Sequence, residues 1–168
     1  MKFFTLLILF TTPYSVLAQS SAPQKFICNT GYTLQQCHRQ ISALRPILDK
    51  FHADALGQWT WILVRSEDWR PLMYRLAASP DSPAVTFLDK RTTLFEEALM
   101  ESSAANRAEL LRYWGLPLNQ LLDEAVSHEL GHSLCNDPDE TRAERRARAL
   151  QEGKKLVCEA AKEIPSAR

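Results

Sequence analysis

Residues 127–135, SHELGHSLC, limit how this chain can fold more than any other stretch, because they continue an apolar helical pattern. Gly115 and Pro117, just before that pattern, are typical of the end of one helix and the start of the next. The apolar residues that follow recur at helical spacing: Leu118, Leu121, Leu122, Ala125 and Val126. His128 and His132 would therefore project from one face of a helix, one turn apart.

Two imidazoles placed in this way can bind one divalent ion, and zinc accepts neutral imidazole nitrogen in tetrahedral geometry. Glu129 lies one step around the helix, where it can face a water on the metal and act as general base. Residues 126–134 carry no other charged side chain, as expected of a partly buried site. Residues 126–134 resemble the HExxH signature of the zincin metallopeptidases. The resemblance implies that His128 and His132 bind zinc. The small Gly131 would allow another backbone to pack closely.

A catalytic zinc site usually has a third protein ligand. The remaining histidines, His38 and His52, lie well upstream of the motif. The metzincin pattern fails here, because Cys135 and Pro138 stand where that family has glycine and a ligand. The third ligand is therefore expected from the acidic residues that follow.

Residues 139–144, DETRAE, resemble the ExxAD element of gluzincin-like peptidases. The resemblance implies that Glu140 binds zinc and that Glu144 orients a histidine. The chain departs from that element in ending on glutamate, and the interval from His132 to Glu140 is shorter than in gluzincins. The alternative, in which Glu144 binds zinc and Glu140 does not, stays open.

The N-terminus has the features of a cleaved signal peptide. Lys2 precedes a short apolar run, residues 3–10, and Ala18 ends a stretch that suits signal peptidase. We therefore predict a signal peptide at residues 1–18 and one domain at residues 19–168. The mature protein is expected to be exported, to the periplasm or the extracellular medium, with no further membrane association.

Four cysteines in an exported chain favour disulfides. Three pairings are possible, and the one with local closures joins Cys28 to Cys37 and Cys135 to Cys158. The second bond would hold the end of the HELGH segment against the C-terminal helix. A cysteine-zinc site is disfavoured, because the chain has no CxxC spacing.

The predicted fold is α+β and mostly helical, a small zincin-like domain with a short sheet and an active-site helix that carries HExxH. Residues 59–65 and 84–88 are the strand candidates, since both are rich in aliphatic or aromatic residues and follow turn signals.

The helix predictions rest on capping residues and prolines. Thr33 and Gln36 form a capping-box pattern at the start of the first helix. Pro46 is expected to end or kink that helix, with residues 47–56 as a second one. Residues 66–76 are expected to form a short helix disturbed by Pro71. The remaining expectations are a helix capped by Thr93 that runs to Trp114, either unbroken or with a break, and is ended by Gly115, and one capped by Asp137 with Pro138 in its first turn.

The predicted function is that of an exported zinc peptidase, in which Glu129 activates a water that hydrolyses peptide bonds. The substrate is expected to be a peptide or protein, laid along residues 84–88 or 59–65 as an added strand. The net charge of zero gives no indication of nucleic acid binding. The arginines of residues 142–148, interleaved with glutamates, are interpreted as a solvated helix face. The alternatives are a non-catalytic zincin-like or zinc-holding binding module and a disulfide-stapled interaction protein.

Overall fold

The computed structural model describes residues 24–158, so the predicted signal peptide lies outside the described residues. The described part of the chain is α+β, as expected. Its strands are β1 (Lys25–Cys28), β2 (Thr60–Val64), β3 (Ala84–Phe87) and β4 (Thr92–Glu96). Its α-helices are α1 (Leu34–Lys50), α2 (Ser66–Arg75), α3 (Ala104–Trp114), α4 (Leu118–Ser133) and α5 (Glu140–Gln151).

The four strands form one sheet in the order β1-β2-β4-β3. β1, β2 and β4 are parallel, whereas β3 pairs antiparallel with β4 and forms one edge. The register places Thr86 of β3 opposite Thr93 of β4. β2 and β3 confirm the two strands that were expected from the sequence.

Side chains alternate between the two faces of the sheet. Trp61, Leu63 and Phe95 belong to the larger core, which also contains buried residues of α1 and α4. Val64 and Leu94 face the opposite way and pack in a smaller cluster with residues of α2. α4, the helix that carries the histidines, is therefore packed on the same face of the sheet as Thr93.

The first helix begins as predicted and is longer than predicted. Thr33 and Gln36 form the expected capping box. The expected break at Pro46 was wrong, because α1 continues through it to Lys50. Pro46 removes one backbone hydrogen-bond donor, but Leu44 and Leu48 on either side are fully buried and keep the helix against the core. The helix α2 likewise continues through its proline, Pro71.

The predicted helix from Thr93 was also wrong. Residues 92–96 form β4, which is hydrogen-bonded between β2 and β3, and α3 begins only at Ala104, with Ser103 as its cap. The β-branched and apolar residues of this stretch are buried between neighbouring strands, so tertiary pairing outweighs the capping signal. The end of α3 is as expected, with Gly115 in a left-handed conformation at φ 69°.

Two disulfides join the predicted pairs. Cys28–Cys37 links the end of β1 to α1, and Cys135–Cys158 links the turn after α4 to the segment beyond α5. Such bonds persist in oxidising compartments. Between residues 24 and 158, no helix has the length and apolar character needed to cross a bilayer.

Candidate metal centre

The HELGH residues lie in the last turns of α4. Leu121, Val126 and Leu130 anchor one side of this helix in the main core. His132 and Glu129 are almost fully buried, and His128 is partly exposed. The core therefore fixes the rotation of α4 about its axis and turns both histidines toward the start of α5.

Three potential ligand atoms converge between α4 and α5. Nε2 of His128 lies 3.0 Å from Oε2 of Glu140, and Nε2 of His132 lies 3.3 Å from the same oxygen. The two Nε2 atoms are 3.3 Å apart. Donors held tetrahedrally by one zinc ion, at about 2.0–2.1 Å, lie about 3.3 Å from one another. These three residues therefore have the chemistry and spacing of a metal site.

Each histidine has a second polar neighbour at its other ring nitrogen. Nδ1 of His132 donates to the backbone carbonyl of Asp137 at 2.7 Å, which leaves Nε2 free to bind a metal. Nδ1 of His128 lies 3.7 Å from Oε2 of Glu144. A hydrogen bond from Arg148 lowers the pKa of Glu144, so this group is a carboxylate. The structure thus brings Glu140 to the Nε2 atoms and Glu144 to the far side of His128.

Gly131 permits the close approach of α5. A Cβ atom at this position would lie 2.6 Å from the carbonyl oxygen of Ala143, which is closer than atoms can pack. The prediction that a second backbone packs against Gly131 is confirmed. This contact fixes the distance between α4 and α5. It therefore determines how close Glu140, one turn earlier on α5, lies to the histidines.

The linker from α4 to α5 differs from the prediction. Asp139, and not Asp137, caps α5, since its side chain accepts a hydrogen bond from the backbone of Arg142. The carboxylate of Asp137 is buried and accepts hydrogen bonds from Arg142 and Arg146. Arg146 also donates to the carbonyl of Gly131.

Arg146 is only 5% exposed, so the interpretation of the arginine cluster as a solvated face was wrong for this residue. Its buried guanidinium is matched by the Asp137 carboxylate and by the carbonyl at the end of α4. The physical reason is that a fully hydrogen-bonded ion pair can be buried, which the charge pattern alone does not reveal.

A chain of hydrogen bonds in the sheet leads toward Glu129. The indole nitrogen of Trp59 donates to Oγ1 of Thr93 at 3.1 Å, and that oxygen lies 2.8 Å from Oγ1 of Thr86. The Thr86 hydroxyl faces Glu129 and acts to lower the pKa of its carboxyl group.

The environment of Glu129 also changes its acidity. Burial raises its pKa to about 7, against the opposing effects of the Thr86 hydrogen bond and of nearby His132. A carboxyl group with a pKa near neutrality suits a general base. We name Trp59, Thr93 and Thr86 the threonine relay.

A groove runs past these residues beneath the edge strand. A cavity of about 580 Å³ is lined by β3 and by His128, Glu129, His132 and Glu140. The edge strand faces α4 here, and within the described chain no other strand pairs with its outer edge. The outer edge of β3 therefore presents backbone groups to the groove.

Among the described residues, only His128, His132 and Glu140 form a group that could hold a metal. The two remaining histidines, His38 and His52, do not belong to this group. Sequence reasoning missed Thr86, Thr93 and the carbonyl of Asp137. Their roles depend on strand register and on a turn, and no local sequence signal indicates them.

Compared with known proteins, the chain matches no family model, no curated protein and no solved structure. The interpretation of the centre therefore rests on its own geometry.

Proposed function

We propose that this protein is an exported zinc-dependent peptidase of the zincin type. The observation that carries the proposal is the convergence of three donor atoms, 3.0–3.3 Å apart, beside a buried glutamate. The two disulfides support export, and the adjoining groove supports a substrate of peptide size.

In this proposal, each residue of the centre has a separate role. His128, His132 and Glu140 would hold the metal, while Asp137 and Glu144 orient the rings. Zinc bound there would lower the pKa of a water and polarise a peptide carbonyl. Glu129 would take a proton from that water and pass it to the leaving amine.

Substrate orientation would come from the sheet. An extended peptide can add to the free edge of β3 through backbone hydrogen bonds, which brings one of its bonds over Glu129. Of the two strands considered, β2 is interior to the sheet, so β3 supports this role and β2 does not.

The test combines metal analysis with hydrolysis. The mature protein is purified without chelator, its zinc content is measured, and a mixed peptide library is searched by mass spectrometry for new termini. Glu129→Gln should abolish cleavage and retain zinc, whereas the surface control Glu152→Gln should cleave normally.

Two other outcomes identify the alternatives. Zinc at one equivalent without any cleavage would indicate a zinc-holding binding module. A protein that binds no zinc would show that the histidine–glutamate contacts are an ordinary ion pair, and would leave a disulfide-stapled interaction protein.

A further inference from the structure

A second cavity lies beside the metal centre. It has a volume of about 680 Å³ and shares His128 and Glu129 with the centre. Its walls are formed by the start of β3, the end of α3 and the exposed side of α4, with Trp114 and Leu121 among the apolar residues. A side chain of a peptide on the edge of β3 would enter this cavity next to the reacting bond.

An aromatic pair stands at the opening of this cavity. The rings of Tyr113 and Trp114 are 5.1 Å apart in an edge-to-face arrangement. The residues are 63% and 36% exposed, which is unusual for side chains of this size. Exposed aromatic faces attract cationic groups as well as apolar ones.

The ionisable residues of the cavity indicate which of these ligands fits. Apart from His128, they are all acidic, and no lysine or arginine lines the cavity: Asp81, Glu124, Glu129 and Glu144. Asp81 is paired with Arg70, and Glu144 with Arg148. Glu124 accepts a hydrogen bond from the neutral amide of Gln151 at 2.7 Å, and it forms no ion pair of its own in the described part of the chain, although Arg148 also feels its charge from its pairing with Glu144.

The position of Glu124 sets the length of the ligand. Glu124 precedes His128 by four residues on α4, so the two lie one turn apart on the same face, about 6 Å along the axis. The extended stem of a lysine or arginine spans a similar length. Its methylenes would lie against Trp114 and Leu121 while its charged end reaches Glu124.

We propose that this cavity selects a cationic side chain, lysine or arginine, adjacent to the bond at the metal centre, and that Glu124 is the residue that recognises its charge. The inference rests on the proposed function, because it assigns the substrate class of that same site. A neutral aliphatic side chain would fill the apolar walls but would make no charge contact with Glu124.

The test uses two dipeptide hydroxamates that differ only in carrying arginine or norleucine. The hydroxamate group anchors both to the metal, so their difference reports the cavity alone. Calorimetry with the zinc-loaded full mature protein should give about tenfold tighter binding of the arginine compound, from a charge pair and a cation–aromatic contact together. Glu124→Gln should reduce the preference to about twofold, and Glu124→Lys should reverse it.

Asp123→Asn is the matched control. It removes a carboxylate from the neighbouring position of α4, where Asp123 pairs with Lys50 outside the cavity, and it should keep the full preference. Equal binding of both compounds to the wild type would overturn the inference, as would failure of both to bind or an unchanged preference in Glu124→Gln.

These outcomes separate the inference from the proposed function. A protein that hydrolyses peptides but shows no preference for arginine keeps the function and loses the inference. A protein that prefers the arginine hydroxamate through Glu124, yet hydrolyses nothing, keeps the inference and loses the peptidase assignment.

Discussion

The two carboxylates of α5 contact different atoms of the histidines, and under the proposed function this difference favours Glu140 as the metal ligand. Glu140 approaches both Nε2 atoms at 3.0 and 3.3 Å, whereas Glu144 lies 3.7 Å from Nδ1 of His128 and is also bound by Arg148. A ligand and an orienting group have different effects on metal affinity, so the assignment is testable by substitution.

We expect Glu140→Gln to weaken zinc binding by at least 1,000-fold, an order-of-magnitude figure for the loss of one of three ligands. Glu144→Gln should weaken it by about 10-fold to 100-fold, which is typical of a group that orients a ligand. Competition with a chromogenic chelator measures both affinities. The reverse order would establish Glu144 as the ligand.

The threonine relay predicts a catalytic effect without a metal effect. Thr86→Val removes the hydroxyl that holds Glu129 but keeps the shape of the side chain, so kcat should fall about tenfold while KM and zinc content stay constant. Steady-state kinetics on a peptide substrate and metal analysis measure these quantities.

Thr92→Val is the control for that experiment. Thr92 lies on β4 next to the relay but faces the other way, with its hydroxyl bonded to the carbonyl of Lys90. Thr93→Ser, which keeps the hydroxyl of the relay, should retain most of the activity. An equal loss of kcat in Thr86→Val and Thr92→Val would show that the effect is general destabilisation.

At the scale of elements, the contact between α4 and α5 positions Glu140, the proposed third ligand. Gly131→Ala would place a methyl group 2.6 Å from the Ala143 carbonyl, so the helices must separate. We expect the free energy of unfolding to fall by roughly 1–3 kcal/mol and zinc affinity to fall with it. Chemical denaturation and chelator competition measure the two. Higher stability, as helix propensity alone would give, would contradict this packing argument.

The linker between these helices contains a carboxylate, Asp137, whose charged form is stabilised by folding. Hydrogen bonds from Arg142 and, to a smaller extent, from Arg146 hold the pKa of the Asp137 carboxyl group well below its usual value. The unfolded chain therefore takes up this proton at a higher pH than the folded chain does. The stabilisation is complete above the unfolded pKa of about 3.9 and is lost as the pH falls toward the folded value.

Asp137→Asn should accordingly cost about 3 kcal/mol of unfolding free energy at pH 7, because Arg146 is left buried without its partner. The difference from wild type should shrink below about pH 4. Urea denaturation across pH measures it. The surface pair of Asp123 with Lys50 offers a comparison, since Asp123→Asn should cost under about 1 kcal/mol.

The elements that the sequence predicted well are those with strong local signals. The capping box at Thr33, the apolar face of α4 and the two strands depend on neighbouring residues, and all are found. The sequence predicts no strand at β1 and a helix that begins at β4, because both strands are stabilised by pairing with β2 and not by local signals.

The same distinction applies to the centre. His128, Glu129 and His132 could be read from one motif, and Glu140 follows closely enough on the next helix. The threonine relay and the carbonyl of Asp137 depend on strand register and on the linker turn, which only the folded chain defines.

At the scale of the whole molecule, Cys135–Cys158 closes a loop around α5. Replacing both cysteines by serine should lower the free energy of unfolding by about 3 kcal/mol, the loop-entropy expectation for a separation of 23 residues. Zinc affinity of the folded variant should change by less than about threefold, because Gly131 and Arg146 still hold α5 against α4. A large loss of affinity would show that the disulfide itself positions Glu140.

All three metal-binding candidates lie within residues 128–140, on one helical hairpin, whereas the relay and the substrate edge belong to the sheet. Under the proposed function, uptake of the ion and the rate of hydrolysis would therefore depend on different parts of the chain. Mutations in the β3–β4 hairpin would then slow hydrolysis while the protein kept its metal content.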